Sequence, residues 1–173
     1  MHRETREIAL AGTLAALGAA LLCLGGIVPL ATYAAPVLAS AAVLAAREEC
    51  RAGAAFGCYA VSAALGLLLS PDREAALLYA FLGHYPLLKP KLDALRPRPL
   101  GALVKLLLCC AAVGAMYALL IFVFRLDAVV REAAGTSPAL LAATAALGAV
   151  VFFVYDLALA RLTAAYRRRR TRR

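Results

Sequence analysis

The chain has no tryptophan, two methionines and two histidines, one of them at position 2. Acid–base and metal chemistry lean heavily on histidine, so little of either can be assembled here. No HExxH, GxSxG, phosphate-binding loop or kinase-type set occurs along the chain. Paired acids, or a nucleophile beside a base at one level, are also missing. The chain therefore reads as not an enzyme, with no catalytic residue and no cofactor. The cysteines are Cys23, Cys50, Cys58, Cys109 and Cys110, and none shows the paired spacing of a metal or redox motif. All but Cys50 lie in apolar stretches, where cysteine behaves as a small hydrophobe, so neither a disulfide nor a metal site is expected. Acidic residues are scarce too, with 10 Asp and Glu against 19 Lys and Arg and a net charge of +9. Much of that excess sits in the tail 167–173, directly after an apolar stretch, which suits anionic lipid headgroups rather than nucleic acid.

What the chain does have is apolar length, since 64% of its 173 residues are hydrophobic. Six apolar segments are marked at 8–30, 33–46, 52–70, 75–88, 100–124 and 139–160. A bilayer core about 30 Å thick needs around 20 apolar residues as helix. The first, third, fifth and sixth segments meet that length. The second and fourth are short and must tilt or be shielded by neighbours. The first segment is too long for the apolar core of a signal peptide, about 7–15 residues, and reads as a retained helix. No segment carries a repeated polar stripe of the kind a channel would need.

Basic residues fix an orientation. If all six segments cross and the N-terminus is cytoplasmic, one side collects fifteen of the 19 Lys and Arg. The other side holds Arg73, Arg125 and Arg131, while Lys105 lies inside a segment. Cationic loops stay in the cytoplasm, so both termini are expected there. The expected fold is an all-α membrane protein: a bundle of six transmembrane helices, two of them short, over 1–166, with a basic cytoplasmic tail at 167–173. The expected location is a cell membrane of bacterial plasma-membrane type, crossed several times.

Turns are punctuated by proline and glycine. The run Gly25-Gly26-Ile27-Val28-Pro29 ends the first helix, and Pro36 sits just inside the second. Ser70-Pro71-Asp72-Arg73-Glu74 resembles a helix start with Ser70 as N-cap. The stretch 89–99, with three prolines, is expected as the longest cytoplasmic connection, and Thr136-Ser137-Pro138 offers a cap for the last helix.

Small residues recur every four positions in the first helix, as Ala11, Ala15 and Ala19 on one row and Gly12, Ala16 and Ala20 on the next. Such rows let a second helix approach closely. They serve either packing inside the chain or docking of a separate membrane subunit. Polar residues within apolar segments are costly and count as functional candidates. His84, Lys105 and Asp156 each lie about 8 Å inside the cytoplasmic boundary at 1.5 Å per residue. A Lys105–Asp156 contact or water bridge is predicted, as a proton or ligand relay or as a snorkelling lysine with a structural partner. Among the tyrosines, Tyr33, Tyr85 and Tyr166 suit interfacial belts. Tyr59, Tyr79 and Tyr117 fall deeper, where they either pack in the core or line a cavity.

The opening Ile8-Ala-Leu-Ala-Gly-Thr-Leu-Ala-Ala-Leu17, the row Ala11, Ala15, Ala19 and the helix end Gly25-Gly-Ile-Val-Pro29 resemble the substrate-binding S component of energy-coupling factor transporters. The resemblance covers the whole chain in outline and is strongest in the first 35 residues. It implies a subunit that captures a small nutrient from outside and docks on a transmembrane coupling subunit driven by two cytoplasmic ATPases. Ala11, Ala15 and Ala19 would be the docking row, and 26–35 a lid near the pocket. With few polar groups in the outer half, the ligand would be largely apolar or would meet the loop 125–138. Tyr33, Tyr59, Tyr79 and Tyr117 are the candidate ligand-binding residues. The competing expectation is a membrane scaffold protein whose basic cytoplasmic face recruits lipid or a partner.

Overall fold

The computed structural model describes residues 2–25, 31–94, 98–122 and 137–170. Of the lid expected at 26–35, residues 31–35 instead form the start of α2, and 26–30 lie outside the described residues, as do most of the loop 125–138 and the last residues of the basic tail. Among those described there is no strand. The helices are α1 (His2–Gly25), α2 (Ala31–Glu49), α3 (Ala52–Leu69), α4 (Arg73–Leu82), α5 (Tyr85–Asp93), α6 (Arg98–Phe122) and α7 (Pro138–Arg170).

Three stretches are long and apolar enough to cross a membrane: Glu4–Gly25, Ala52–Leu69 and Ala142–Arg168. In α6 the apolar part runs over Leu100–Met116. The two short segments take different forms. α2 is 19 residues long with Pro36 inside it, and it lies at the centre of the bundle against α1, α3, α4, α5 and α7. The fourth segment is broken at Gly83-His84 into α4, of 10 residues, and α5, of 9. Each half is about 15 Å long at 1.5 Å per residue, so only the pair matches a bilayer.

Contacts at the helix ends show that the legs alternate in direction. At one pole the α1 start meets the α2–α3 turn, where Arg51 pairs with Glu4 at 3.2 Å and the Arg51 amide donates to Glu7 at 3.2 Å. The end of α7 reaches the end of α2 there, with Tyr166 donating to Glu49 at 2.6 Å and Arg167 forking onto Glu48 at 2.8 and 3.0 Å. At the opposite pole the α3 end meets the α1 end, Ser70 donating to the Leu22 carbonyl at 3.2 Å. Tyr33 and Glu74 bring the starts of α2 and α4 together at that pole, 3.4 Å apart. The first pole carries most of the Lys and Arg and is the basic pole below.

The core is built from small residues. Ala11, Ala15 and Ala19 are 6, 1 and 5% exposed, turned toward α2 and α3. Ala11 and Ala15 join Ala39, Val43 and Ala46 of α2 and Ala55, Cys58 and Ala63 of α3 in an apolar cluster that also holds Leu22 and Tyr79. The second α1 row, Gly12, Ala16 and Ala20, stays exposed. Of the two roles open to the first row, packing inside the chain is the one it performs. The face expected to dock a separate subunit is covered by α2 and α3, because lipid gives helices no hydrophobic drive and close backbone approach supplies the attraction instead.

Two expectations at helix starts are corrected. Ser70 does not cap α4; it ends α3, and Asp72 caps α4 by accepting from the Ala75 amide at 3.0 Å. The stretch 89–99, expected as the longest connection, is largely helical, because Lys89–Asp93 continues α5 and α6 starts at Arg98. Pro86 stands in the first turn of α5, where its missing N–H costs nothing, and Pro90 lies inside the same helix. Ser137 does cap α7, accepting from the Leu140 amide at 3.3 Å.

The α4–α5 break constrains Gly83. A side-chain carbon there would stand 2.5 Å from the Tyr79 carbonyl and 2.7 Å from its ring. Gly83→Ala should therefore cost about 1–3 kcal/mol as overpacking. Gly12→Ala, which would meet nothing within 4 Å, should stay within about 0.5 kcal/mol. Thermal unfolding of the two variants in one detergent compares them directly.

Candidate functional site

Three helices bring charge together near the basic pole. Asp156 of α7 accepts from three donors: Lys89 and Tyr85 of α5 and Lys105 of α6. The Tyr85 hydroxyl lies 2.5 Å from Oδ1, and the Lys105 Nζ lies 3.1 Å from Oδ2. Both lysines also reach Asp93, Lys89 at 3.6 Å and Lys105 in direct contact. Two ammonium groups and two carboxylates thus form a neutral quartet, closed by one phenol.

Local sequence explains how each member arrives. Tyr85 and Lys89 stand four residues apart, and so does the Lys89–Asp93 pair, so all three share one face of α5. Lys105 lies two turns into α6, facing that helix. On α7, Phe152, Tyr155 and Leu159 are buried at helical spacing and press Asp156 inward. Tyr85 stacks against Phe152 at 5.2 Å and Tyr155 at 5.9 Å, so an aromatic layer screens the charges from the bundle interior. Tyr155 in turn donates to Ser40 of α2 at 2.8 Å, which ties α7 to the centre of the fold.

The expected Lys105–Asp156 contact is present, but His84 is not part of it. His84 precedes Tyr85 by one residue, about 100° around the helix, and so turns to a different face. Its ring lies 5.9 Å from that of Tyr59. Lys89, treated in the sequence as a boundary cation, is instead 6% exposed and central to the site. Its four-residue spacing to Asp93 was visible in the sequence, but only the helical continuation of α5 made that spacing meaningful.

Of the candidate tyrosines with described side chains only Tyr59 and Tyr79 meet, and Tyr85, expected at an interface, is instead 1% exposed. Tyr59 and Tyr79 lie 6.0 Å apart, and each hydroxyl is used within the chain. Tyr59 donates to the Ala80 carbonyl, and Tyr79 shares a hydrogen bond of 2.6 Å with Ser62. Tyr33 is 60% exposed near the opposite pole. The Tyr117 side chain lies outside the described residues.

No protein-family model, curated protein or solved structure matches this chain. The site is therefore read from its own chemistry. A neutral quartet whose members satisfy one another can hold three helices together.

Two predictions follow from this geometry. Lys89→Met should lower stability more than Lys105→Met, because Lys89 is the more buried lysine and lies beside Tyr85 as well (Nζ 6.0 Å from the ring centroid). A loss of about 1–2 kcal/mol is expected for Lys89→Met, the upper range for polar contacts between membrane helices. A larger loss is not expected, because the remaining carboxylate excess can reach water through Asp93, which is 48% exposed. Urea or SDS titration of the purified chain measures both. At the α2–α3 turn, partial burial and then the Glu7 and Glu49 carboxylates raise the Cys50 thiol above its ordinary pKa. Less thiolate is present at pH 8 than for free cysteine, so alkylation of Cys50 should be slower. Its rate should climb at higher pH, and Glu7→Gln should speed it; peptide mass spectrometry reads the site directly.

Proposed function

We propose that this protein is a non-catalytic scaffold of the cell membrane, with all six legs crossing, both ends in the cytoplasm, and a basic cytoplasmic pole that binds anionic lipid headgroups. The observation that carries this reading is the unequal use of charge at the basic pole. Glu4 and Glu48 are engaged by Arg51 and Arg167, and Asp93 and Asp156 are held by the buried lysines. Arg6, Arg47, Lys91 and Arg161 have no carboxylate partner among the described residues. These four stand on α1, α2, α5 and α7, so they surround the pole rather than form a single stripe. Exposed Ile8 and Leu162 lie on the same helix ends. Each such cation at a headgroup surface contributes about 1 kcal/mol toward anionic lipid, and salt weakens the attraction.

Capture of a nutrient for an ATPase-driven transporter, the role implied by the S-component resemblance, would need a different docking face from Ala11, Ala15 and Ala19. It would also need ligand contacts other than Tyr59 and Tyr79.

Purification from native membranes in mild detergent, followed by mass spectrometry of everything bound, separates these roles. The scaffold reading expects co-purified phosphatidylglycerol or similar anionic lipid. Replacing Arg6, Arg47, Lys91 and Arg161 together with Gln should abolish that enrichment, while reporter fusions keep both termini cytoplasmic. Recovery of a coupling subunit with paired ATPases would overturn the scaffold reading in favour of solute capture.

A further inference from the structure

We infer that α7 is a separable arm of the bundle, latched by the Asp156 carboxylate to α5 and α6. This goes beyond the scaffold reading and does not depend on what the basic pole binds.

The outer part of α7 is mostly exposed. Its described side chains between 139 and 151 are exposed apart from the half-buried Ala149, including Leu140, Leu147, Val150 and Val151. Attachment begins only at Phe152 and uses one face, Phe152, Tyr155 and Leu159. α1, α2 and α3 are gripped differently, because they interlock through a continuous cluster of mostly small residues. In lipid an apolar helix gains nothing by leaving the acyl chains for another apolar surface, so packing and polar contacts must hold it. For α7 the packing is confined to three buried residues, and the polar contacts become decisive.

Among those contacts Asp156 is unlike the rest. It is the only acidic residue in α7, and it collects Lys89, Tyr85 and Lys105 from two other helices. The two lysines keep a second partner, Asp93. They are also long enough to extend toward the pole when Asp156 leaves. Asp156 has no such reserve, and away from the lysines its charge would face lipid. The arm is therefore closed by default, and neutralising that one carboxylate is the change that weakens it. Among the other ties, Tyr166 to Glu49 and Arg167 to Glu48 act as a hinge at the basic pole, while Tyr155 to Ser40 lies beside the latch and opens with it.

Distance measurement between spin labels tests this in the full chain, reconstituted in nanodiscs with the native cysteines replaced by alanine. One label pair occupies exposed positions Ala20 on α1 and Val150 on α7. A control pair occupies Ala20 and Leu68 on α3. With Asp156 intact, both pairs should give a single distance. In Asp156→Asn the α1–α7 pair should gain a longer-distance population while the α1–α3 pair stays unchanged. The charge exchange Lys89→Asp with Asp156→Lys should remove that population. An unchanged α1–α7 distance in Asp156→Asn overturns the latch. So does movement of both pairs, which would make the quartet a support of the whole bundle, or failure of the charge exchange to restore the short distance. If Asp156→Asn does not accumulate, Tyr85→Phe removes one donor only. It should show the same longer population in smaller amount, and its absence overturns the inference equally.

Discussion

A carboxylate placed deep in an apolar helix must find cations, and much of this structure follows from how Asp156 finds them. Three donors from two helices converge on it, and the second carboxylate, Asp93, keeps the total charge at zero. Burying such a group without partners is prohibitive in a low-dielectric medium, while burying it with matched partners is close to neutral. The energetic gain over an apolar substitute is therefore small. What the quartet supplies is register. Only one rotation and one depth of α7 allow Asp156, Tyr155 and Tyr166 to reach Lys89, Ser40 and Glu49 together.

The other half of the bundle obeys a different rule. α1, α2 and α3 contain few polar contacts with one another and rely on close approach. At Gly18 an added side-chain carbon would stand 3.3 Å from Ser62 of α3. At Gly66 it would stand 2.6 Å from the Leu22 side chain of α1. Small residues allow these distances, and dispersion between closely packed backbones replaces the hydrophobic drive that a bilayer cannot supply. The molecule thus joins a tightly packed trio of helices to a peripheral helix held by charge, with α4, α5 and α6 between them.

This division bears on function. The packed trio uses the row of small residues that would otherwise be the obvious place for a partner helix, and the buried tyrosines spend their hydroxyls on the chain itself. Unsatisfied chemistry remains at the basic pole, where cations outnumber the carboxylates available to them. It remains too along the lipid-length outer face of α7. Both features face a bilayer more naturally than a small solute.

Several properties were legible in the sequence. Helical class follows from six apolar runs, four of them long, without strand-like alternation. The grouping of cations at one pole follows from alternating loops. The Lys105–Asp156 contact follows from two charges at equal depth in neighbouring segments, where lipid leaves them no partner but each other. The rest required the fold. Whether Ala11, Ala15 and Ala19 face inward or outward depends on rotation of α1, and alanine-rich sequence carries the same spacing on two adjacent rows. His84 and Tyr85 are adjacent in sequence, and only the break at Gly83-His84 decides which of them meets Asp156. Lys89 looked like a boundary residue because it follows an apolar segment and opens a proline-containing stretch, yet α5 continues through it to Asp93. Sequence determined composition-driven quantities, helix and pole, because these depend on local hydrophobicity and charge. Tertiary structure decided partners, because a helix presents every residue to some direction and only neighbouring helices determine what lies there.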